Sequence, residues 1–226
     1  MGERVAIVVG AGGELGRATA EKLAAAGFTV VGTDRNEKGL RELPDGIGRE
    51  VADPVDPAAA RNVVDRIAAE VGPPEVLVNT IGTYHLGGAL TATQADLRLM
   101  IDVNVGSALW LTQAVVPYMR ERGSGSIVYV ASRPGLEPTA GLTAYALSKA
   151  ALVYLTRTLD LELRPLGIRV NAVAPQLINT AETRQFTPPD ALAHSVTPGA
   201  IADVLVYLAS DAAAPVSGAI VPAYGG

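Results

Sequence analysis

The sequence predicts an α/β fold: a doubly wound parallel sheet of about seven strands with helices on both faces, in a single domain over residues 1–226. Three observations carry this. The apolar runs are short, unbroken and bounded by turn residues, as expected of strands covered on both faces. They alternate with segments of helical periodicity, which implies right-handed crossovers between parallel neighbours. Finally, 226 residues with no internal repeat, low-complexity tract or dividing linker suit one α/β domain.

Each element follows from its local pattern. Arg4–Val9, Phe28–Thr33, Glu75–Asn79, Ser126–Ala131, Ile168–Val173 and Ala219–Pro222 read as strands, with a weaker one at Arg49–Asp53. Leu15–Ala26, Pro57–Val71, Thr93–Tyr118, Thr143–Leu163 and Ala200–Ala209 read as helices. Phe186-Thr-Pro-Pro-Asp190 reads as a loop over a site, within a candidate substrate loop at about 177–198.

Composition narrows the function classes. The chain is 49% hydrophobic and 18% charged, which argues against disorder, and has no cysteine for a disulfide, a thiolate nucleophile or a thiolate metal site. A net charge of -5 leaves no electrostatic footprint for nucleic acid. The uncharged run Val103 to Met119 contains Asn104, Gly106, Gln113 and Pro117, a poor match to the roughly 20 apolar residues of a membrane span. The start, Met1-Gly-Glu-Arg, lacks the apolar core of a signal peptide. The expectation is a soluble cytoplasmic protein with no nucleic-acid or membrane partner.

Two regions carry chemistry. The first strand leads into Gly10-Ala11-Gly12-Gly13-Glu14-Leu15-Gly16-Arg17, where glycines let the backbone approach a pyrophosphate and a helix start offers free N–H groups. Such turns also serve tight packing, but the second strand ends in Asp34, a carboxylate placed for the ribose hydroxyls of an adenosine. Asp34 and Glu14 would repel a 2′-phosphate, favouring NAD over NADP, whereas Arg35 could pair with that phosphate.

The second region is Tyr145-Ala-Leu-Ser-Lys149, which sets a phenol and an ammonium at i and i+4 on one helix face. An adjacent ammonium should lower the tyrosine pKa from about 10, making a general acid/base. A surface pair is the bland alternative. Ser132 argues for the chemistry, because it follows the strand Ile127–Ala131 at the carboxyl end of a parallel sheet, where ligands bind.

Together these residues resemble the short-chain dehydrogenase/reductase family in its single-domain form. The likeness runs in order through the Gly-rich turn, Asp34, Asp53, Asn79-Thr-Ile-Gly82, Asn104, Ser132, Tyr145, Lys149, Asn171-Ala-Val-Ala-Pro175, Thr180, Leu208-Ala-Ser-Asp211 and Gly225-Gly226. The resemblance implies a Rossmann-type fold and reversible hydride transfer between a nicotinamide and a carbonyl carbon. It implies Tyr145 as the proton donor and acceptor, Lys149 as its pKa-lowering partner and ribose ligand, and Ser132 bonded to the substrate oxygen. Asn104 would kink its helix and hold a water in a proton relay.

It further implies cofactor contacts at Gly10, Gly13, Glu14, Leu15 and Gly16, at Asp34, Arg35 and Asp53 around the adenosine, and at Asn79 and Gly82. Pro175, Ile178 and Thr180 would face the nicotinamide end. A homo-oligomer, tetramer or dimer, is implied too, with Trp110 and Tyr154 as core or interface residues.

The sequence departs from the family in places. Val9 replaces a threonine, Glu14 a glycine, Ile81 an alanine and Gln176 a glycine. A glutamate beside a pyrophosphate must point away or cost affinity. The substrate loop, with Phe186, Pro188, Pro189 and His194, is short, which predicts an open site. The resemblance further implies Tyr84, His85, Arg133, Leu136, Gln176, His194 and Tyr224 as candidate pocket residues. His85 and His194, the only histidines, are too few for a metal centre. The expected function is an NAD(H)-dependent enzyme of a small alcohol or ketone. An NADP-dependent carbonyl reductase and a catalytically silent nucleotide sensor are the alternatives.

Overall fold

The computed structural model describes residues 4–185 and 187–225, so the Phe186 and Gly226 positions lie outside the described residues. Seven parallel strands form one sheet in the order β3-β2-β1-β4-β5-β6-β7. They are β1 Val5–Val9, β2 Thr29–Asp34, β3 Gly48–Val51, β4 Pro74–Asn79, β5 Gly125–Val130, β6 Ile168–Pro175 and β7 Ile220–Ala223. Chain order reverses between β1 and β4, the crevice where doubly wound sheets bind ligands.

The unbroken apolar strands are explained by the two cores they feed. Ile7, Val9, Leu77, Ile127, Tyr129 and Val170 point to one face. There they meet α3 (Pro57–Glu70), α5 (Ser107–Arg122) and α6 (Thr143–Leu163). Ala6, Val8, Val30, Val76, Val78, Val128 and Val173 point to the other, against α1 (Glu14–Ala25) and α9 (Pro198–Ala209). Successive strand residues alternate sides, so a strand needs apolar residues throughout when both sides are covered.

The helix predicted over Thr93–Tyr118 is interrupted. It consists of α4 (Gln94–Ile101), one π-helical turn at Asp102–Gly106 and α5. A Thr93–Asp96 capping box starts α4, and the wide turn carries Asn104. By length and composition the run Gln94–Arg122 could cross a membrane. Ala108, Leu111, Val115 and Met119 on it are instead wholly buried in the first core. Three one-turn helices escaped the sequence reading because periodicity needs a longer window: α2 (Glu37–Leu40), α7 (Ala181–Arg184) and α8 (Pro189–Leu192). The predicted substrate loop therefore contains α7 and α8, and an Ile178–Val196 bridge closes its base.

Candidate active site

The nucleotide end is built on β1. Gly10 has φ +84°, a conformation L side chains rarely adopt, and its N–H bonds to Thr33 O at 2.8 Å. A Cβ on Gly16 would collide with the Gly10 carbonyl, so the turn closes only with glycine there. Gly13 precedes α1 without a side-chain cap, which leaves the N–H groups of the first turn for an external anion. This cradle fits a dinucleotide pyrophosphate.

Asp34 is positioned by two backbone bonds: Gly12 N donates to Oδ2 at 3.0 Å and Asn36 N to Oδ1 at 2.9 Å. Each oxygen keeps lone-pair capacity for a ribose hydroxyl. Arg35 reaches Asp53 at 4.0 Å across the exposed adenosine end.

Asn79 is the last residue of β4. It is 3% exposed, and its Oδ1 accepts Ile81 N at 3.0 Å while Nδ2 approaches Ser107 Oγ at 3.4 Å. Its amide shapes the turn after β4. Thr180 caps α7, its hydroxyl accepting Thr183 N at 3.2 Å in a capping box. Glu14, the first residue of α1, reaches the segment after β6: its Oε1 accepts Ala181 N at 2.6 Å, with Arg184 Nη2 at 3.9 Å.

The chemical end lies at the carboxyl edge of β4 and β5. Ser132 follows β5 in extended conformation and is 5% exposed. α6 begins where Gly87 bonds across Gly141 and Thr143, at 2.9 Å each, fixing the loop after β4 against it. Tyr145 stands in the first turns of α6, edge-on to Tyr84 with ring centroids 6.3 Å apart. Lys149 is 3% exposed, and its Nζ donates to Val130 O at 2.8 Å.

Asn104 joins these parts. Its Oδ1 accepts Thr83 N at 2.9 Å, and its Nδ2 donates to Thr83 O at 3.0 Å and Ser148 Oγ at 2.9 Å. Ser148 in turn donates to Tyr145 O at 2.8 Å. A Cβ on Gly82 would lie 3.1 Å from Lys149 Nζ and 3.3 Å from Asn104 Oδ1, so glycine lets the β4 loop reach the lysine.

The electrostatics correct one expectation. Burial pushes the Tyr145 phenol up; a hydrogen bond with Ser132 pulls it down, and Tyr84 pushes it further up. Burial draws the Lys149 ammonium down to about 8; its Nζ sits 5.9 Å from the Tyr145 ring centroid and is bonded to Val130 O.

Comparison with known proteins decides the family. The short chain dehydrogenase family matches residues 4–191. This chain belongs to that family. It is 32% identical to the 3-oxoacyl-(acyl-carrier-protein) reductase of Escherichia coli strain K12, covering 99% of this chain and 96% of the relative. It is 33% identical to the 4-formylbenzenesulfonate dehydrogenase of Comamonas testosteroni, covering 100% and 98%. The crystal structure of gox2181 superposes with a TM-score of 0.91 at 32% identity, covering 98% of this chain and 94% of that one. The chain is thus an oxidoreductase relative with a Rossmann-type sheet.

In this short-chain dehydrogenase the ends of the neighbouring strands β5, β6 and β7 share one corner of the carboxyl edge. Arg133 Nε donates to Glu137 Oε2 at 2.8 Å, and its Nη1 donates to Gln176 Oε1 at 3.0 Å. Its guanidinium lies 4.9 Å from the Tyr224 ring centroid. His194 O is 3.6 Å from where a Gly225 Cβ would stand, so the loop reaches the same corner. His85 faces Asp96 at 3.7 Å, away from this corner's residues. Pro175 ends β6, and Ile178 packs on the second core. Among the described residues no group of three or more His, Asp or Glu side chains could hold a metal ion.

The sequence reading missed Thr83, Ser148 and Glu137. Glu137 had a signal, four residues after Arg133 on the pattern of a one-turn ion pair. Thr83 and Ser148 had none, since their roles depend on contacts across 21 and 44 residues.

Proposed function

We propose that this chain catalyses reversible hydride transfer between NAD(H) and an alcohol or ketone, with Tyr145 as general acid/base. The observation that carries the reading is the convergence of Ser132, Tyr145 and Lys149, tied through Asn104, beside a glycine cradle at the same sheet edge. The nicotinamide, when bound, supplies or accepts the hydride.

The chain's own residues do the rest. The uncapped start of α1 and the turn from Gly10 to Gly16 bind the pyrophosphate. Asp34 receives the ribose hydroxyls, with Arg35 and Asp53 at the adenine end. Gly82, Pro175, Ile178 and Thr180 border the nicotinamide half. In reduction Tyr145 Oη donates its proton to the substrate oxygen while Ser132 hydrogen-bonds that oxygen. A buried phenol with a raised pKa keeps that proton at neutral pH. In oxidation Tyr145 must first lose it, so that direction gains with rising pH. Asn104 holds α6 through Ser148; with its side-chain amide engaged, a relay water would rest on its backbone carbonyl.

NAD is favoured because Asp34 stands where a 2′-phosphate would sit. NADP use would draw on Arg35, which is exposed and only weakly held by Asp53. The relatives' names speak of a 3-oxoacyl group and a formylbenzenesulfonate, both carbonyl compounds. Binding is tested by NADH fluorescence titration, and catalysis by turnover on a ketone panel. Tyr145→Phe should lose about 10²- to 10⁴-fold in kcat with NADH binding retained. Binding without turnover, unchanged in Tyr145→Phe, would favour the sensor reading, whose one structural support is the Glu14 carboxylate beside the cradle.

A further inference from the structure

Beside Ser132, the structure holds an arginine more rigidly than a surface residue requires. Three separate strand ends supply its partners. Glu137, on the turn after β5, accepts Nε; Gln176, after β6, accepts Nη1; Tyr224, after β7, lies under the guanidinium plane. Tyr224 Oη also donates to Glu137 Oε1 at 3.4 Å, closing the group. A guanidinium has five N–H donors, and among the described residues Nη2 has no hydrogen-bond partner. The side chain is 40% exposed.

We infer that Arg133 is the specificity residue for substrates carrying a carboxylate near the reacting carbonyl, an inference that rests on the hydride-transfer reading above. Ser132, its chain neighbour, is the residue placed to bond the reacting oxygen. The turn after β5 carries Arg133 to the same carboxyl edge of the sheet, where Gln176 and Tyr224 follow β6 and β7. The fixed plane matters because an arginine–carboxylate pair is strongest with two parallel N–H bonds, and preorganisation lowers the cost of forming them. Gln176, where the resembling family has glycine, is explained as part of the scaffold that sets the plane. Glu137 balances the charge at rest. It is itself 49% exposed and contacts Arg133 through Nε, leaving the Nη edge for the substrate.

The test compares acids with their neutral esters: acetoacetate against methyl acetoacetate, and levulinate against methyl levulinate, with NADH and with NADPH. For at least one pair kcat/KM should favour the acid by about tenfold or more. In Arg133→Ala that ratio should fall toward one, and in Arg133→Lys, which keeps the charge but loses the fork, it should be intermediate. Equal rates on acid and ester, or a ratio that survives Arg133→Ala, overturn the inference while leaving hydride transfer intact. If no ketone turns over, the hydride-transfer reading fails. Calorimetric titration of acetoacetate then decides the anion site alone: binding at least tenfold weaker in Arg133→Ala supports it, and no binding refutes it.

Discussion

Glu14 and Ala181 are joined across 167 residues by a 2.6 Å bond from the Ala181 N–H to Glu14 Oε1. The first opens α1 after the glycine turn and the second opens α7, so one side chain connects that turn to the segment 177–198. Arg184, 3.9 Å from the same oxygen, reinforces the link and is itself held by Asn179 Oδ1 at 2.8 Å. The carboxylate thus orders the segment while opposing an incoming pyrophosphate. Glu14→Gly should free the segment, seen as faster limited proteolysis within residues 177–198. Glu14→Gln keeps an acceptor for Ala181 but removes the charge. It should bind NADH several-fold tighter, by an effect that shrinks as salt rises. Equal cleavage in wild type and Glu14→Gly would refute the latch.

That bond also marks where sequence reasoning stops. The sheet was legible because strand burial on two faces forces runs such as Ala6-Ile7-Val8-Val9, and each residue of that run is wholly buried. Tyr145 and Lys149 were legible because helical spacing is local. The partner of Glu14, the Asn79–Ser107 contact and the Arg133–Gln176–Tyr224 group were not, since each joins residues far apart in the chain that only the folded sheet and its helices bring together. The sign of the Tyr145 shift also escaped. The i+4 lysine argued for a lowered pKa, but desolvation of both groups outweighs their proximity once α6 is packed.

Lys149 gives a pH prediction with a definite sign. Its folded pKa, drawn down to about 8 by burial, lies below the value of about 10.4 expected in the unfolded chain. Between these the unfolded state binds more protons, so this group's contribution to stability rises with pH and is least favourable below pH 8. Tyr145 acts in the opposite sense only above pH 10, where the unfolded phenol ionises first. Relative to Lys149→Met, the wild type should therefore gain stability from pH 8 to 9.5 in urea unfolding. A difference between the two that does not change with pH would contradict the buried, depressed ammonium.

Asp34 gives the cofactor prediction. It bonds Gly12 N and Asn36 N, so it shapes the turn and fixes a negative charge at the end of β2, where the proposed reading sets the adenosine ribose. Asp34→Ser removes that charge and leaves Arg35, 75% exposed, free to meet a 2′-phosphate. The ratio of kcat/KM for NADPH over NADH should rise by about tenfold or more, since removing one close repulsion is worth on the order of 1.4 kcal/mol. The wild type should prefer NADH. A wild-type preference for NADPH would show that Arg35, and not Asp34, governs this end.

α6 presents two opposed faces, and the outer one predicts an assembly. Ser148, Lys149, Leu152, Thr156 and Leu163 turn inward and are buried. Leu147, Tyr154 and Leu161 recur every seven residues on the other side and are 55%, 75% and 72% exposed. Seven residues make about two helical turns, so these three form one apolar stripe. Leu99 of neighbouring α4, 51% exposed, adds to the apolar surface. An apolar stripe of this kind marks an interaction surface, and a second copy of the chain is the expected occupant, in a dimer or tetramer. Trp110 is partly buried against the first core. Because α6 also carries Tyr145 and Lys149, pairing would brace the catalytic helix. Tyr154→Glu with Leu161→Glu should reduce the mass measured by light scattering to that of a monomer. With far-UV circular dichroism unchanged, kcat should fall as well. A monomeric wild type, or an oligomer that tolerates both glutamates, would remove α6 from the interface.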